Sequence, residues 1–303
     1  MKFDLHCHTR EGSLDSKVSI LKYISEYRKL GYDGFMISDH NSYKGCKAFD
    51  RLRAMPELQE EFENFTVIRG IEYDTKDAGH VLIVMPDDMY IRLLHIRGMR
   101  LRKLIHLVHS CGGVLGLAHP FGAASSSAMG FTIMNYDLID ELDFIETFNT
   151  CESPVSNQLA GELAAKYDLP GVAGTDAHRA EYLGMACTEI DAEIRCNNDF
   201  INAVISGARF ETSGTEREET RSGKAKEHWT GVLGYKFYNR GIGKVRSAHR
   251  KLGHYRLTHR GELAHKFEVK WEQVQKEFKE SKEAKKAMKE VKQEIKQETG
   301  KTK

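Results

Sequence analysis

No stretch of this chain approaches the ~20 consecutive apolar residues that a bilayer-spanning helix needs, which excludes an integral helical membrane protein. The N-terminus offers no secretory leader, because Met1-Lys-Phe-Asp-Leu-His runs straight into strand-like sequence without an apolar h-region. Cytoplasmic residence is the expectation. Cysteine is scarce and scattered: Cys7, Cys46, Cys111, Cys151, Cys187 and Cys196 include no CxxC pair. That argues against a disulfide framework and against a cysteine-based structural zinc site. The six read as reduced, mostly buried small hydrophobes. Cys7 stands between two histidines on a strand, and alternation turns it away from them. With 40 % hydrophobic and 9 % aromatic residues the composition is that of an ordinary soluble globular protein. A length of 303 residues holds one large domain, or one domain and an appendage.

The net charge of +1 conceals an asymmetry. Residues 1–213 carry 21 Lys/Arg against 31 Asp/Glu, whereas residues 214–303 carry 24 against 13. Two segments of opposite sign predict two roles, a catalytic or binding domain over 1–213 and a basic, largely helical extension over 214–303. Residues 214–228 are polar and linker-like. Residues 228–261 hold eight Lys/Arg and no acidic residue, interleaved with Trp229, Tyr235, Phe237, Tyr238 and Tyr255. Residues 262–298 are rich in Lys and Glu, with Phe267, Trp271, Val274 and Phe278 as a short apolar stripe, and read as a long exposed helix.

The first 213 residues alternate two textures. Short apolar runs at 2–7, 33–38, 65–72, 80–85, 114–118, 143–148, 170–175 and 185–190 read as strands. Between them, residues 17–30 place Val18, Leu21, Ile24, Tyr27 and Leu30 at three-residue steps before Gly31. Residues 98–111 gather Leu101, Leu104, Ile105 and Val108 on one helix face, and residues 155–167 do so with Leu159, Leu163 and Ala164 before Pro170. Alternating β and α units predict a parallel sheet, open or closed.

Imidazoles and carboxylates fall at the ends of these strands, in Asp4-Leu-His6-Cys-His8, Ser38-Asp39-His40-Asn41, Gly70-Ile-Glu72, His80, His119-Pro120 and Gly174-Thr-Asp176-Ala-His178. Alternate strand residues share a face, so an HxH at a strand end brings two imidazoles to one point. Neutral imidazole with carboxylate suits zinc, manganese or iron far better than magnesium or calcium. Chemistry fed by so many strand ends favours a closed barrel, whose loops converge at the C-terminal face, over an open sheet with one switch point. Asp39 points away from His40 by alternation and reads as a carboxylate that orients a ligand. Glu146 and Asn149 close another strand and read as either site-lining or structural. His95, His106 and His109 read as surface or packing residues.

As an ordered set these motifs resemble the PHP family, the polymerase and histidinol phosphatase superfamily of metal-dependent phosphoesterases, over residues 1–213. The resemblance implies a distorted (β/α)7 barrel with two or three divalent ions, Mn, Zn or Fe, at the C-terminal face. It implies a first metal held by His6, His8, Glu72 and Asp176, with Glu72 bridging to a second completed by His80 and His119. Asp15, His40 and His178 would take a third. The implied reaction is hydrolysis of a phosphomonoester or phosphodiester by a metal-bridging hydroxide, since two metals about 3.5–4 Å apart acidify a shared water. Glu72 suits a bridge because one carboxylate can give an oxygen to each cation. Arg10 and Arg179 adjoin ligand motifs and either could grip a phosphate bidentately. Asp15 or His178 could pass a proton to the leaving alkoxide, as could a bound water.

Two other classes compete. Amidohydrolases also place HxH and later His and Asp on a β/α barrel, but commonly bridge their metals with a carbamylated lysine, and no lysine ends an internal strand here. A metal-binding module without activity is the third reading, although all nine ligand positions are filled. The substrate expected is a phosphorylated small molecule, a nucleotide or a nucleic-acid end. Residues 228–261 could track a phosphate backbone with their basic groups and stack bases on their aromatics, or rest on an anionic surface.

Overall fold

The computed structural model describes residues 1–122, 127–128 and 138–218. The basic aromatic segment 228–261 and the helix expected over 262–298 lie outside these residues. Each of the eight strands read from the sequence forms within a residue or two of its expected bounds: β1 (Lys2–Cys7), β2 (Gly34–Ile37), β3 (Thr66–Asp74), β4 (His80–Val84), β5 (Val114–Leu117), β6 (Phe144–Asn149), β7 (Gly171–Gly174) and β8 (Ala186–Ile190). A ninth, β9 (Phe210–Gly214), pairs antiparallel with β8. The helices are α1 (Ile20–Lys29), α2 (Lys44–Arg53), the short α3 (Gln59–Phe62), α4 (Leu101–Ser110), α5 (Pro154–Lys166) and α6 (Asn197–Ile205). None is long and apolar enough to cross a membrane.

One nine-stranded sheet runs in the order β7-β6-β5-β4-β3-β2-β1-β8-β9. It curls until β7 meets β1. Across that seam Cys7 and Ala177 form an isolated parallel bridge, and the Asp176 N–H donates to His6 O at 2.8 Å. Seven strands thus make a nearly closed, distorted barrel, with β8 and β9 as an antiparallel flap on the outer edge of β1. The expectation of a wholly parallel sheet is corrected at β4, which runs antiparallel to both β3 and β5. The reason is length: residues 75–79 form a tight turn, with Thr75 N–H to Gly79 O at 2.9 Å and Gly79 at φ +66, whereas a parallel crossover needs a dozen residues or more.

The helices begin and end where local chemistry dictates. Ser19 caps α1 by accepting from the Lys22 N–H, and Arg28 and Lys29 occupy its last turn, where the helix dipole favours cations. Ser153 caps α5 with Pro154 at its first position. The buried face of α1 is Ile20, Tyr23, Ile24 and Tyr27; of the expected stripe Val18, Ile24 and Tyr27 are buried, while Leu21 and Leu30 are exposed. Two tyrosines can replace leucine there because each hydroxyl finds an acceptor, Tyr23 on His8 O and Ala177 O, Tyr27 on the Asp4 carboxylate. On α5, Leu159 is likewise exposed, and Ala160, Leu163 and Ala164 face inward. Apolar side chains of β1, β3, β4, β5, β6 and α6, among them Phe3, Leu5, Ile68, Leu82, Phe144 and Phe200, fill the core.

Candidate metal centre

The strand ends deliver the ligand candidates to one place. His6 and His8 come from β1, His40 follows β2, Glu72 lies near the end of β3, His119 follows β5, and Asp176 and His178 follow β7. His80 opens β4, and because that strand is antiparallel its first residue lies beside the end of β3, with His80 opposite Asp74 in the register. All nine sequence candidates are brought together.

Glu72 is the hub, 1 % exposed. Its Oε1 faces His80 Nδ1 at 2.6 Å, His119 Nε2 at 3.1 Å and His6 Nε2 at 3.6 Å. Its Oε2 faces His40 Nδ1 at 2.6 Å and His8 Nε2 at 3.4 Å. One carboxylate oxygen therefore looks into each of two imidazole groups. Asp176 Oδ1 joins His8 Nε2 at 3.0 Å and His6 Nε2 at 3.8 Å. Nearer the mouth, Asp15 Oδ2 stands 3.5 Å from His178 Nε2 and 3.6 Å from His40 Nε2. Four overlapping groups have ligand atoms within 4.8 Å of one another: His8, His40 and His178; His6, His119 and Asp176; His6, His8 and Glu72; His40, Glu72 and His80.

The donor set fits divalent cations on its own chemistry. His6 and His8 point their Nε2 atoms at each other 3.2 Å apart, an arrangement that two lone pairs do not favour without a cation or a shared proton. Among the described residues Asp15 Oδ1 is buried and accepts no hydrogen bond, which a buried carboxylate oxygen normally would. Burial together with the neighbouring His40 and His178 pushes the His8 imidazole down to about 3, so its lone pair is available at neutral pH.

A surrounding layer of groups sets the orientation of the ligands. Glu146 Oε1 accepts from His6 Nδ1 at 2.9 Å and from Asn149 Nδ2 at 3.1 Å, and its Oε2 accepts the His119 backbone N–H at 2.6 Å. This resolves the open reading of Glu146: it turns the free nitrogen of His6 inward. Asp39 accepts the Thr9 N–H at 2.6 Å, the Thr9 hydroxyl at 2.8 Å and the Ser13 hydroxyl at 3.0 Å. Its carboxylate pins the 9–13 loop, and its backbone carbonyl accepts the Glu72 N–H at 3.3 Å. Gly12 and Gly45 are required beside it, since a Cβ at either would lie 2.0 Å or less from Asp39 Oδ2. His119 (φ 29) and Asp176 (φ 49) adopt left-handed backbone at the ends of β5 and β7, a conformation that costs a non-glycine residue ~1 kcal/mol or more and that clusters at functional sites.

The two arginine candidates are on the surface. Arg10 pairs with Glu11 at 3.7 Å and Arg179 with Glu181 at 3.4 Å, each with an exposed guanidinium. His109 bonds Asp143 at 2.9 Å away from the cluster, and His95 packs edge-on against Tyr43, as packing residues would. Sequence reading gave no role to Asp4, although it opens the first motif, and missed Tyr23 and Arg217, which belong to no ligand motif. Just past the boundary expected at residue 213, β9 runs through Gly214, Thr215 N–H donates to Met185 O and Arg217 N–H donates to Thr150 O.

A pH prediction arises here. Burial pulls His40 down, but Glu72 and Asp15 outweigh it and raise the imidazole to about 9. His6 and His119 are raised by Glu146 and Glu72 in the same way against burial. A ligand must shed its proton to bind a cation, so affinity for Mn(II) is expected to climb from pH 6.5 to 9 with proton release. The metal-free protein should trend oppositely. A raised histidine stabilises the fold fully below its ordinary value of 6.5, and that stability is lost as pH rises through about 9. Calorimetric titration in buffers of different ionisation enthalpy, with thermal unfolding of the metal-free protein, checks both; pH-independent affinity over that window would refute the assignment.

Comparison with known proteins agrees with this geometry. The PHP domain family model matches residues 4–141, and a PHP-associated model matches residues 154–208. Over 219 residues the chain is 26 % identical to the DNA polymerase/3'-5' exonuclease PolX of Bacillus subtilis, covering 63 % of this chain and 37 % of that one. The chain thus spans little more than a third of that relative's length. Among solved structures it resembles a Bacteroides vulgatus two-domain protein containing a predicted PHP-like metal-dependent phosphoesterase, with TM-score 0.53, 17 % identity, and 73 % of this chain and 66 % of that one covered. PsfC from Pseudomonas syringae gives 0.52, at 14 % identity over 71 % of this chain and 91 % of that one. The lesion-specific endonuclease PfuEndoQ from Pyrococcus furiosus gives 0.50, at 16 % identity over 70 % and 58 %. At these identities the structural likeness speaks for the fold, while the family matches cover the ligand motifs themselves. The chain belongs to the PHP family.

Proposed function

We propose that this protein is a metal-dependent phosphoric ester hydrolase that acts on a small phosphate, a nucleotide or a nucleic-acid end. The observation that carries the reading is Glu72, whose two oxygens face two separate imidazole groups. His6, His8, Glu72 and Asp176 would hold one divalent ion, Glu72 with His80 and His119 a second, and Asp15, His40 and His178 a third nearer the mouth. Ions of Mn, Zn or Fe in such a site supply Lewis acidity, which activates water and neutralises phosphate oxygens.

The chain's own groups prepare that chemistry. Glu146 holds the His6 tautomer, and the His178 Nδ1–H donates to Asp176 O at 2.9 Å, which turns His178 Nε2 toward Asp15. Despite burial, His178 and His40 hold the Asp15 carboxyl well below its ordinary value, so Asp15 is an anion facing two imidazoles. With Nδ1 committed to Asp176 O, His178 Nε2 would serve the third ion or, where that ion is absent, pass a proton to a leaving oxygen. Arg10 and Arg179 would grip a phosphate only by exchanging Glu11 and Glu181 for it. The names of two similar proteins, the exonuclease PolX and the endonuclease PfuEndoQ, support a nucleic-acid substrate and with it a cytoplasmic setting. The basic residues of 228–261 would supply the backbone contacts.

Purified protein is expected to carry at least one Mn, Fe or Zn per chain and to release phosphate or nucleotide from a panel of phosphoesters and oligonucleotides. Elemental analysis and that panel are the test, run on the full chain and on a chain ending at Glu218. If 219–303 is a separable extension, the shorter chain keeps small-phosphoester turnover and loses oligonucleotide affinity, along with the salt dependence that phosphate contacts bring. Absence of bound metal together with no hydrolysis after Mn(II) addition would refute the proposal.

A further inference from the structure

Arg217 is not accounted for by any ligand motif. It lies three residues beyond the end of β9, in sequence that reads as linker, yet it is 7 % exposed. Its backbone N–H donates to Thr150 O at 2.9 Å, just past the end of β6. Its side chain crosses to the neighbouring strand end, where Nη2 donates to Thr175 O and, at 3.3 Å, to Asp176 O. The guanidinium also lies over the Tyr182 ring, 3.6 Å from its centroid. Tyr182 ends the short turn Ala180–Tyr182 that follows His178. One buried cation therefore grips both ends of the 175–182 loop, and that loop carries Asp176 and His178.

The loop needs such a grip. Asp176 is held in left-handed backbone at φ 49, which only surrounding bonds can sustain in a residue with a side chain. Asp176 O accepts from His178 Nδ1 as well as from Arg217, so moving the guanidinium disturbs the acceptor that orients the His178 ring. Thr175 O retains the Thr150 hydroxyl at 2.7 Å, which anchors one side of the turn but does not reach Asp176. Charge-assisted donation to carbonyls and stacking on an aromatic ring are both better served by arginine's planar fork than by lysine.

We propose that Arg217 is a positioning residue of the metal centre, clamping the Thr175 and Asp176 carbonyls against Tyr182 so that the Asp176 carboxylate and the His178 imidazole keep their metal-holding geometry. This rests on the metal-site reading above. It also means that the working unit of the barrel extends through Arg217.

The test is cobalt(II) titration of metal-free, full-length wild type, Arg217→Met, Arg217→Lys and Tyr182→Leu, followed by visible absorption, with thermal unfolding of each metal-free protein. Outer-layer groups around metal ligands typically hold ten- to a hundredfold in affinity. Arg217→Met should therefore bind cobalt about tenfold more weakly with an altered spectrum, Arg217→Lys should recover part of the loss, and Tyr182→Leu should weaken binding in the same direction. Unfolding midpoints of the metal-free variants should stay near wild type. Wild-type titration by Arg217→Met overturns the proposal, as does a loss that lysine does not relieve and that follows a collapsed metal-free midpoint. Should Arg217→Met fail to fold, wild-type cobalt binding by both other variants overturns it. Failure of the wild type itself to bind cobalt would instead remove the metal-site reading and this inference with it.

Discussion

Glu72→Ala is expected to empty the metal centre and to lower phosphoester hydrolysis by about 10³-fold or more, the scale of losing a principal electrostatic stabiliser. Oε1 of Glu72 faces His6, His80 and His119, and Oε2 faces His8 and His40. Alanine would leave five imidazoles around a void. Two cations brought there would repel each other with no shared anion between them. The imidazoles that Glu72 helps to raise, His6, His40 and His119, would also fall toward the low values that burial imposes. Glu72→Gln separates charge from volume, since it keeps one acceptor oxygen and the packing, and its metal content should fall nearly as far. His109→Ala is the control, because it breaks only the surface bond to Asp143. Metal analysis and phosphate release on all three variants decide the point, and wild-type turnover by Glu72→Ala would remove Glu72 from the centre of the mechanism.

Asp4→Ala is expected to cost about 3 kcal/mol of stability, through the several buried donors it strands. Asp4 is completely buried at the seam between β1 and β7. Its Oδ1 accepts the His6 N–H at 3.1 Å and the Thr175 N–H at 3.0 Å, and its Oδ2 accepts the Thr175 hydroxyl at 2.5 Å and the Tyr27 hydroxyl. Few backbone bonds close this seam, so the carboxylate substitutes for a missing ladder and ties the strand of His6 to the loop of Asp176. Burial pushes the carboxyl pKa up and the Thr175 and Tyr27 donors only partly offset it, so the neutral Asp4→Asn should be milder than alanine. Denaturant unfolding of the metal-free proteins measures both. A midpoint for Asp4→Ala equal to wild type, with an unchanged slope, would show that the seam closes without it.

Local sequence accounts for much of the barrel and most of the centre. The strands were legible because short apolar runs bounded by Gly, Asp and Asn have few other uses, and the ligand motifs were legible because each sits on or beside such a run. The direction of β4 was not read, although the five residues between Asp74 and His80 already forbid a parallel crossover. The stripe of α1 was read in part: Val18, Ile24 and Tyr27 are buried as expected, whereas Leu21 and Leu30 are exposed. Tyr23 was not read as inward, and it is inside because acceptors from distant segments meet its hydroxyl. β9 was missed because Phe210-Glu-Thr-Ser-Gly214 is mostly exposed and has no apolar alternation to announce it.

By itself the sequence determined which residue types the centre would use, the strands that carry them and the family to which the chain belongs, because those properties reside in local pattern and in order along the chain. Only the tertiary structure decided which groups face one another. Glu72 as the hub, Glu146 behind His6, Asp4 in the seam and Arg217 over the Asp176 loop are all contacts between residues far apart in sequence. Their worth depends on burial and on angstrom-scale distances, and those arise only when the sheet curls and brings β7 against β1.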